Sequence, residues 1–182
     1  MRDRKLQRQE GDGSLVEHAD LSKIATYHCN DMVVDTQGRA YVGNFGSDIE
    51  SGNKLVKAKL AFVDTDGSVS VAAEDLAFPN GAVITPDGKT LIIGESFGRC
   101  LTAFDIADDG GLSNRRVWAN LHPHIPDGIC LDAEGAIWLA DPANHCVVRV
   151  AEGGDVLQKI EISNGTFACM LGGEERKTLF VC

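Results

Sequence analysis

No apolar run in the 182 residues approaches the roughly 20 that a membrane span requires. The start, Met1-Arg2-Asp3-Arg4-Lys5, lacks the apolar core of a signal peptide. Basic residues are in deficit, 17 against 27 acidic, for a net charge of −10, which argues against a general phosphate-binding surface. Nucleic acid and membrane are therefore not expected partners, and a cytoplasmic location is expected. Also missing are G-x-S-x-G, H-E-x-x-H, P-loop and dinucleotide fingerprints. The six cysteines (29, 100, 130, 146, 169 and 182) form no C-x-x-C pair, and several lie in strand-like apolar runs. Reduced buried thiols are expected, rather than a disulfide framework or a zinc site.

What is present is a repeated sentence. After Asp127-Gly128, Ile129-Cys130-Leu131-Asp132 and Ala136-Ile137-Trp138-Leu139-Ala140 read as two short strands joined by Ala133-Glu134-Gly135. The same pattern runs from Asn30 to Gly43 and from Asn80 to Gly94. In each copy an Asn or Asp opens the hairpin and the turn glycine follows at a constant offset: Asn30 and Gly38, Asn80 and Gly88, Asp127 and Gly135. A fourth, degraded copy begins near Thr166 and continues through Leu171-Gly172-Gly173 and residues 178–181. Self-similarity at about 40–50 residues, with several strands per unit, is the mark of a β-propeller built one blade per repeat.

In order, residues 1–29 form an outer half-blade with strands at 5–9 and 14–18. Three four-stranded antiparallel blades follow, at 30–79, 80–126 and 127–165, and residues 166–182 form an inner half-blade. Strands are predicted at 31–35, 39–43, 59–64 and 68–74, then at 81–85, 90–95, 99–106 and 112–118, then at 128–132, 136–140, 144–150 and 155–162. A polar, glycine-bearing loop at 46–54 suits a rim. The residues alone leave two all-β arrangements open: the halves pair and close a four-bladed ring, or the chain is part of a larger propeller.

Equal register implies equal height and radius about a propeller axis, so Asn30, Asn80 and Asp127 are expected to converge in the channel. Two carboxamides and a carboxylate suit a hard divalent cation, although Asn or Asp before Gly is also a common turn former. A cation there polarises a carbonyl and acidifies bound water, and Asp127 is the candidate general base. Asp48, on the long loop, and His28, two residues before Asn30, are candidate substrate contacts, with a solvated loop acid and a packing histidine as the plainer readings. His122-Pro123-His124 invites a metal reading, but Pro makes the spacing awkward, and both histidines read as solvent-facing loop residues. Asp35, Asp87 and Asp132 read as turn residues bonded to backbone.

At these residues the chain resembles the regucalcin/gluconolactonase family, also called the senescence-marker-protein family. The matching segments are Cys29-Asn30-Asp31-Met32-Val33-Val34-Asp35, Phe78-Pro79-Asn80-Gly81, Pro126-Asp127-Gly128-Ile129-Cys130-Leu131-Asp132 and Leu171-Gly172-Gly173, and the resemblance runs from about residue 4 to the end. It implies a six-bladed propeller, of which this chain would be three full blades and two half-blades. It also implies one divalent metal (Ca²⁺, Mn²⁺, Mg²⁺ or Zn²⁺) and hydrolysis of a sugar lactone or related ester, with a small-molecule lactone as partner. By motif, Asn80 and Asp127 match metal ligands, Asp127 also matches the base, and Asn30 matches a residue contacting substrate or sitting beside the metal. Asp48 matches an acidic substrate contact, and His28 stands where some members carry arginine. The family's Glu-Gly-Pro segment, which supplies a glutamate ligand, has no counterpart; Glu10-Gly11 falls in an outer turn. The expectation is therefore a chain lacking about two N-terminal blades and the C-terminal tail, with weakened metal binding. Two other readings stay in view: a non-catalytic calcium-binding or protein-binding scaffold, and a propeller of the strictosidine-synthase-like or NHL-repeat kind.

Overall fold

The computed structural model describes residues 3–48 and 51–182. Alternating apolar runs punctuated by Gly-bearing turns give an all-β chain: β1 (Lys5–Gln9), β2 (Leu15–Asp20), β3 (Cys29–Val34), β4 (Ala40–Asn44), β5 (Ala58–Val63), β6 (Val69–Leu76), β7 (Pro79–Ile84) and β8 (Thr90–Glu95). There follow β9 (Cys100–Ile106), β10 (Leu112–Asn120), β11 (Ile129–Leu131), β12 (Ile137–Asp141), β13 (Cys146–Val150), β14 (Val156–Glu161), β15 (Cys169–Gly172) and β16 (Thr178–Val181). Three four-stranded meanders result, β3-β4-β5-β6, β7-β8-β9-β10 and β11-β12-β13-β14, each hydrogen-bonded in sequence order. Within these sheets neighbouring strands pair antiparallel. The predicted strands are all found, with ends displaced by a few residues. β1-β2 and β15-β16 form separate two-stranded sheets among the described residues.

Two compact units divide the chain. The first holds residues up to 79 together with the β9–β10 turn at 108–111. Its core joins Leu6 and Ala19 of the two-stranded sheet to Cys29, Ala40, Val42, Ala61 and Val63. The Tyr41 hydroxyl donates to the Gly110 carbonyl at 2.7 Å, and burial of that phenol pushes its pKa up to about 12. The long loop at 46–54 includes residues 49 and 50, which lie outside the described ones.

The second unit holds residues 80–107 and 112–182. Its main core packs Ile92, Leu101 and Ala103 with Trp118, Ile137, Leu139, Val148 and Val150. A smaller cluster sets Cys130, Trp138, Ala140 and Val147 beside Cys169. In both units the second strand of each meander (β4, β8, β12) is buried almost end to end, while the fourth (β6, β10, β14) is mostly exposed. The apolar runs of the second strands therefore cover both faces, as expected of strands sandwiched on each side.

The hairpin turns behave as the residue types require. Asp35 Oδ1 accepts from the backbone of Gln37 and Arg39, Asp87 Oδ1 from Lys89, and Asp132 Oδ1 from Glu134 and Ala136. Each turn closes through the glycine at the repeat's fixed offset, whose φ of +86°, +72° or +79° is accessible without a Cβ penalty.

Candidate functional site

In the second unit the site is built from the first residues of two neighbouring sheets. Asn80 belongs to β7, which opens one meander, and Asp127 lies just ahead of β11, which opens the next. Gly81 N donates to the Asp127 carbonyl at 3.2 Å, so the two openings run side by side. A Cβ at Gly81 would stand 2.5 Å from Asp127 O, 2.6 Å from Ile129 N and 2.8 Å from Gly128 Cα. Only glycine admits that approach, which accounts for Asn-Gly here beyond any turn preference. The neighbouring contact repeats the device: Gly128 N donates to the Phe167 carbonyl at 2.9 Å, and a Cβ on Gly128 would lie 2.8 Å from Ala168 Cα.

Asp127 is half-buried, with its backbone fixed from the other side: Asp127 N donates to the Ala140 carbonyl and Ala140 N to the Gly128 carbonyl, both at 2.9 Å. Asn80 is buried. Its amide Nδ2 donates to Ser96 Oγ at 3.1 Å, and Ser96 in turn donates to the Pro126 carbonyl at 2.7 Å. This relay joins Asn80 to the residue immediately before Asp127. It also orients the carboxamide, since Nδ2 is committed to Ser96 and Oδ1 is the atom suited to face a cation. Ser96 is placed by the end of β8, where buried Glu95 accepts from Thr102 at 2.6 Å and from Arg115 at 3.0 Å. A carboxamide oxygen and a carboxylate are hard donors, and they fit an ion such as Ca²⁺, Mg²⁺ or Mn²⁺.

The remaining predicted residues lie in the first unit. Asn30 is in β3 and half-buried. His28 stacks on Tyr27 with ring centroids 3.9 Å apart, and Phe45 lies 6.2 Å from His28 and 4.6 Å, edge-on, from Phe78. Asp48 is partly exposed and accepts from Ser51 N at 3.2 Å. Its pKa is held down by the Ser51 side chain first, then by the Ser51 backbone, the Tyr27 hydroxyl and the charge of His28, against some desolvation. Asp48 and His28 are therefore brought together, with Tyr27 as an unpredicted third member. Neither Tyr27 nor Ser96 carries a motif; each is defined by a tertiary contact that local pattern does not encode.

One expectation fails. His122 is exposed, but His124 is buried, and its Nδ1 lies 2.8 Å from Oδ2 of Asp141, which is fully buried. The backbone N–H of His124 also donates to the Leu121 carbonyl at 2.6 Å, which turns the ring inward. In the fourth copy of the repeat, Thr166 stands near the opening position, and its hydroxyl donates to the Cys146 carbonyl and accepts from Asp141 N. In that copy the side chain bonds backbone on both sides.

Comparison with known proteins follows the same lines. The family described as the SMP-30/Gluconolactonase/LRE-like region matches residues 3–182. Pentonolactonase XacC of Haloferax volcanii is 28% identical over 156 residues, covering 84% of this chain and 52% of that protein. Regucalcin of Danio rerio is 28% identical over 173 residues, covering 92% of this chain and 58% of its own length. The chain thus spans about half the length of the curated relatives it matches. Among solved structures, a luciferin-regenerating enzyme aligns with a TM-score of 0.86 at 21% identity, over 98% of this chain and 63% of that one. A calcium-binding regucalcin from Agrobacterium tumefaciens aligns with a TM-score of 0.81 at 23% identity, over 98% and 61%. These likenesses give the fold as that of the β-propellers of this family.

Proposed function

Because the chain belongs to the SMP-30/gluconolactonase/LRE-like family, we propose that Asn80 and Asp127 form part of a divalent-metal site for hydrolysis of a sugar lactone or related ester. The observation that carries the proposal is the side-by-side opening of β7 and β11, in which Ser96 fixes the Asn80 carboxamide and Gly81 fits only as glycine against Asp127. The relatives named pentonolactonase and 6-deoxy-6-sulfogluconolactonase supply the substrate class.

A bound ion of this kind supplies Lewis acidity toward the lactone carbonyl and lowers the pKa of a water. The protein's own part is positional. Asn80 offers a neutral oxygen that cannot take a proton. Asp127, half-buried, is the one titratable member of the pair and removes the proton from the attacking water. Asn30, in the first unit, is a candidate by repeat register alone. Asp48 and His28, in the first unit, are candidate substrate contacts by family motif, an acceptor and an imidazole suited to the hydroxyls of a sugar.

The test is lactone hydrolysis on a panel containing gluconolactone and pentonolactones, with and without EDTA, for the parent and Asp127→Ala. Activity lost to EDTA, restored by Mn²⁺ or Ca²⁺ and abolished in Asp127→Ala is the expected result. Turnover surviving the substitution rejects the assignment. Metal binding with no turnover on any lactone favours a calcium-binding scaffold, the role suggested by the Agrobacterium relative's description.

A further inference from the structure

Away from that site, His124, Asp141 and Cys146 bring Nδ1, a carboxylate oxygen and Sγ within 4.8 Å of one another. We propose that these three residues form a second metal site, selective for a thiophilic borderline ion such as Zn²⁺. Nitrogen, oxygen and sulfur donors in one cluster are the set that zinc accepts, and three protein ligands leave the fourth tetrahedral position to water. The distances are close to those needed. Zinc bonds of about 2.0–2.3 Å place tetrahedral donors roughly 3.5 Å apart. Here Sγ of Cys146 is 3.9 Å from Nδ1 of His124, and Nδ1 is 2.8 Å from Asp141 Oδ2. The histidine–aspartate pair needs to part by less than about 1 Å to admit the ion.

The charges balance. A carboxylate can only accept, so the proton between His124 and Asp141 resides on Nδ1. On metal uptake that proton moves to Nε2, the thiol proton leaves to solvent, and one carboxylate plus one thiolate neutralise the ion. A largely buried site carrying zero net charge avoids the desolvation cost of an isolated ion. The framework is already fixed: Thr166 bridges the Asp141 N–H and the Cys146 carbonyl, and Asn144 donates to Asp141 through both its backbone N–H and Nδ2. Asn144, which bonds Asp141 and the Pro123 carbonyl, is exposed, so one side of the cluster borders the surface.

Co²⁺ is the probe, because thiolate ligation gives a near-ultraviolet charge-transfer band that an oxygen-only site cannot produce. The intact chain is titrated with Co²⁺, then with Zn²⁺, alongside Cys146→Ser, His124→Gln, Cys182→Ser and Asp127→Ala, each checked for a cooperative melt. The expected result is one equivalent of the band, displaced by Zn²⁺, absent in Cys146→Ser and His124→Gln, and retained in Cys182→Ser and Asp127→Ala. X-ray absorption of the zinc-loaded parent, expected to show one sulfur neighbour, decides the matter if a cluster variant fails to fold. No band, a band lost with Cys182, or a zinc shell without sulfur overturns the proposal.

Discussion

Replacing Gly81 by alanine tests how tightly the two openings are apposed. The added methyl would meet three backbone atoms at 2.5, 2.6 and 2.8 Å, and no flexible side chain among them can yield. Relief requires separating β7 from the 127–129 segment, which breaks the Gly81 N to Asp127 O bond. Overpacking of well-filled sites costs typically 1–3 kcal/mol, and purely backbone obstruction places this case at about 3 kcal/mol. For a chain of this size that corresponds to roughly 6–12 °C in melting temperature. Gly11→Ala is the control, because a Cβ there meets nothing within 4 Å and its φ is not positive; a shift near zero or slightly upward is expected. Thermal melts of both variants are the assay, followed by metal titration of the folded fraction. Equal melting temperatures for Gly81→Ala and the parent would refute the close apposition on which the Asn80–Asp127 pairing stands.

Other consequences are as concrete. Ser96→Ala frees the Asn80 carboxamide to rotate and is expected to weaken divalent-ion affinity by about tenfold, the effect typical of losing a ligand-orienting partner; calorimetric titration with Mn²⁺ checks it, and unchanged affinity removes Ser96 from the site. Arg149→Met is expected to cost about 2 kcal/mol at neutral pH, because Arg149 is bonded to Asp132 at 2.7 Å in a largely buried pair. Burial works to raise the Asp132 pKa, but the Arg149 bond and the turn N–H groups outweigh it, so the folded value lies below the usual one. Stability from this pair is thus fully present above the ordinary carboxylate pKa and lost as pH falls through the depressed value. Parent and variant should converge in acid-unfolding curves there, and a constant difference down to about pH 2 contradicts the ionic origin.

The strands, their grouping and the roles of Asp35, Asp87 and Asp132 were legible because each is local: alternation sets the strand, and an Asp side chain bonds backbone two to four residues on. That the openings at Asn80 and Asp127 run side by side was legible because repetition turns register into geometry. Ser96 was not, since its partner Pro126 is 30 residues away and nothing near Ser96 signals the contact. His124 misled for a related reason: flanked by Pro123 in a polar loop it looks exposed, and only Asp141, at the end of β12, draws it inside. Tyr27 gained its place through Asp48, across a loop that local pattern leaves undefined.

The central claim concerns one ion between two strand openings, and anomalous scattering from a crystal soaked in Mn²⁺ addresses it most directly. A single carboxylate implies weak binding, so millimolar soaks are appropriate. The expected result is a peak within about 2.0–2.6 Å of Asn80 Oδ1 and the Asp127 carboxylate. A map with Mn²⁺ bound elsewhere and none at these two oxygens would contradict the account.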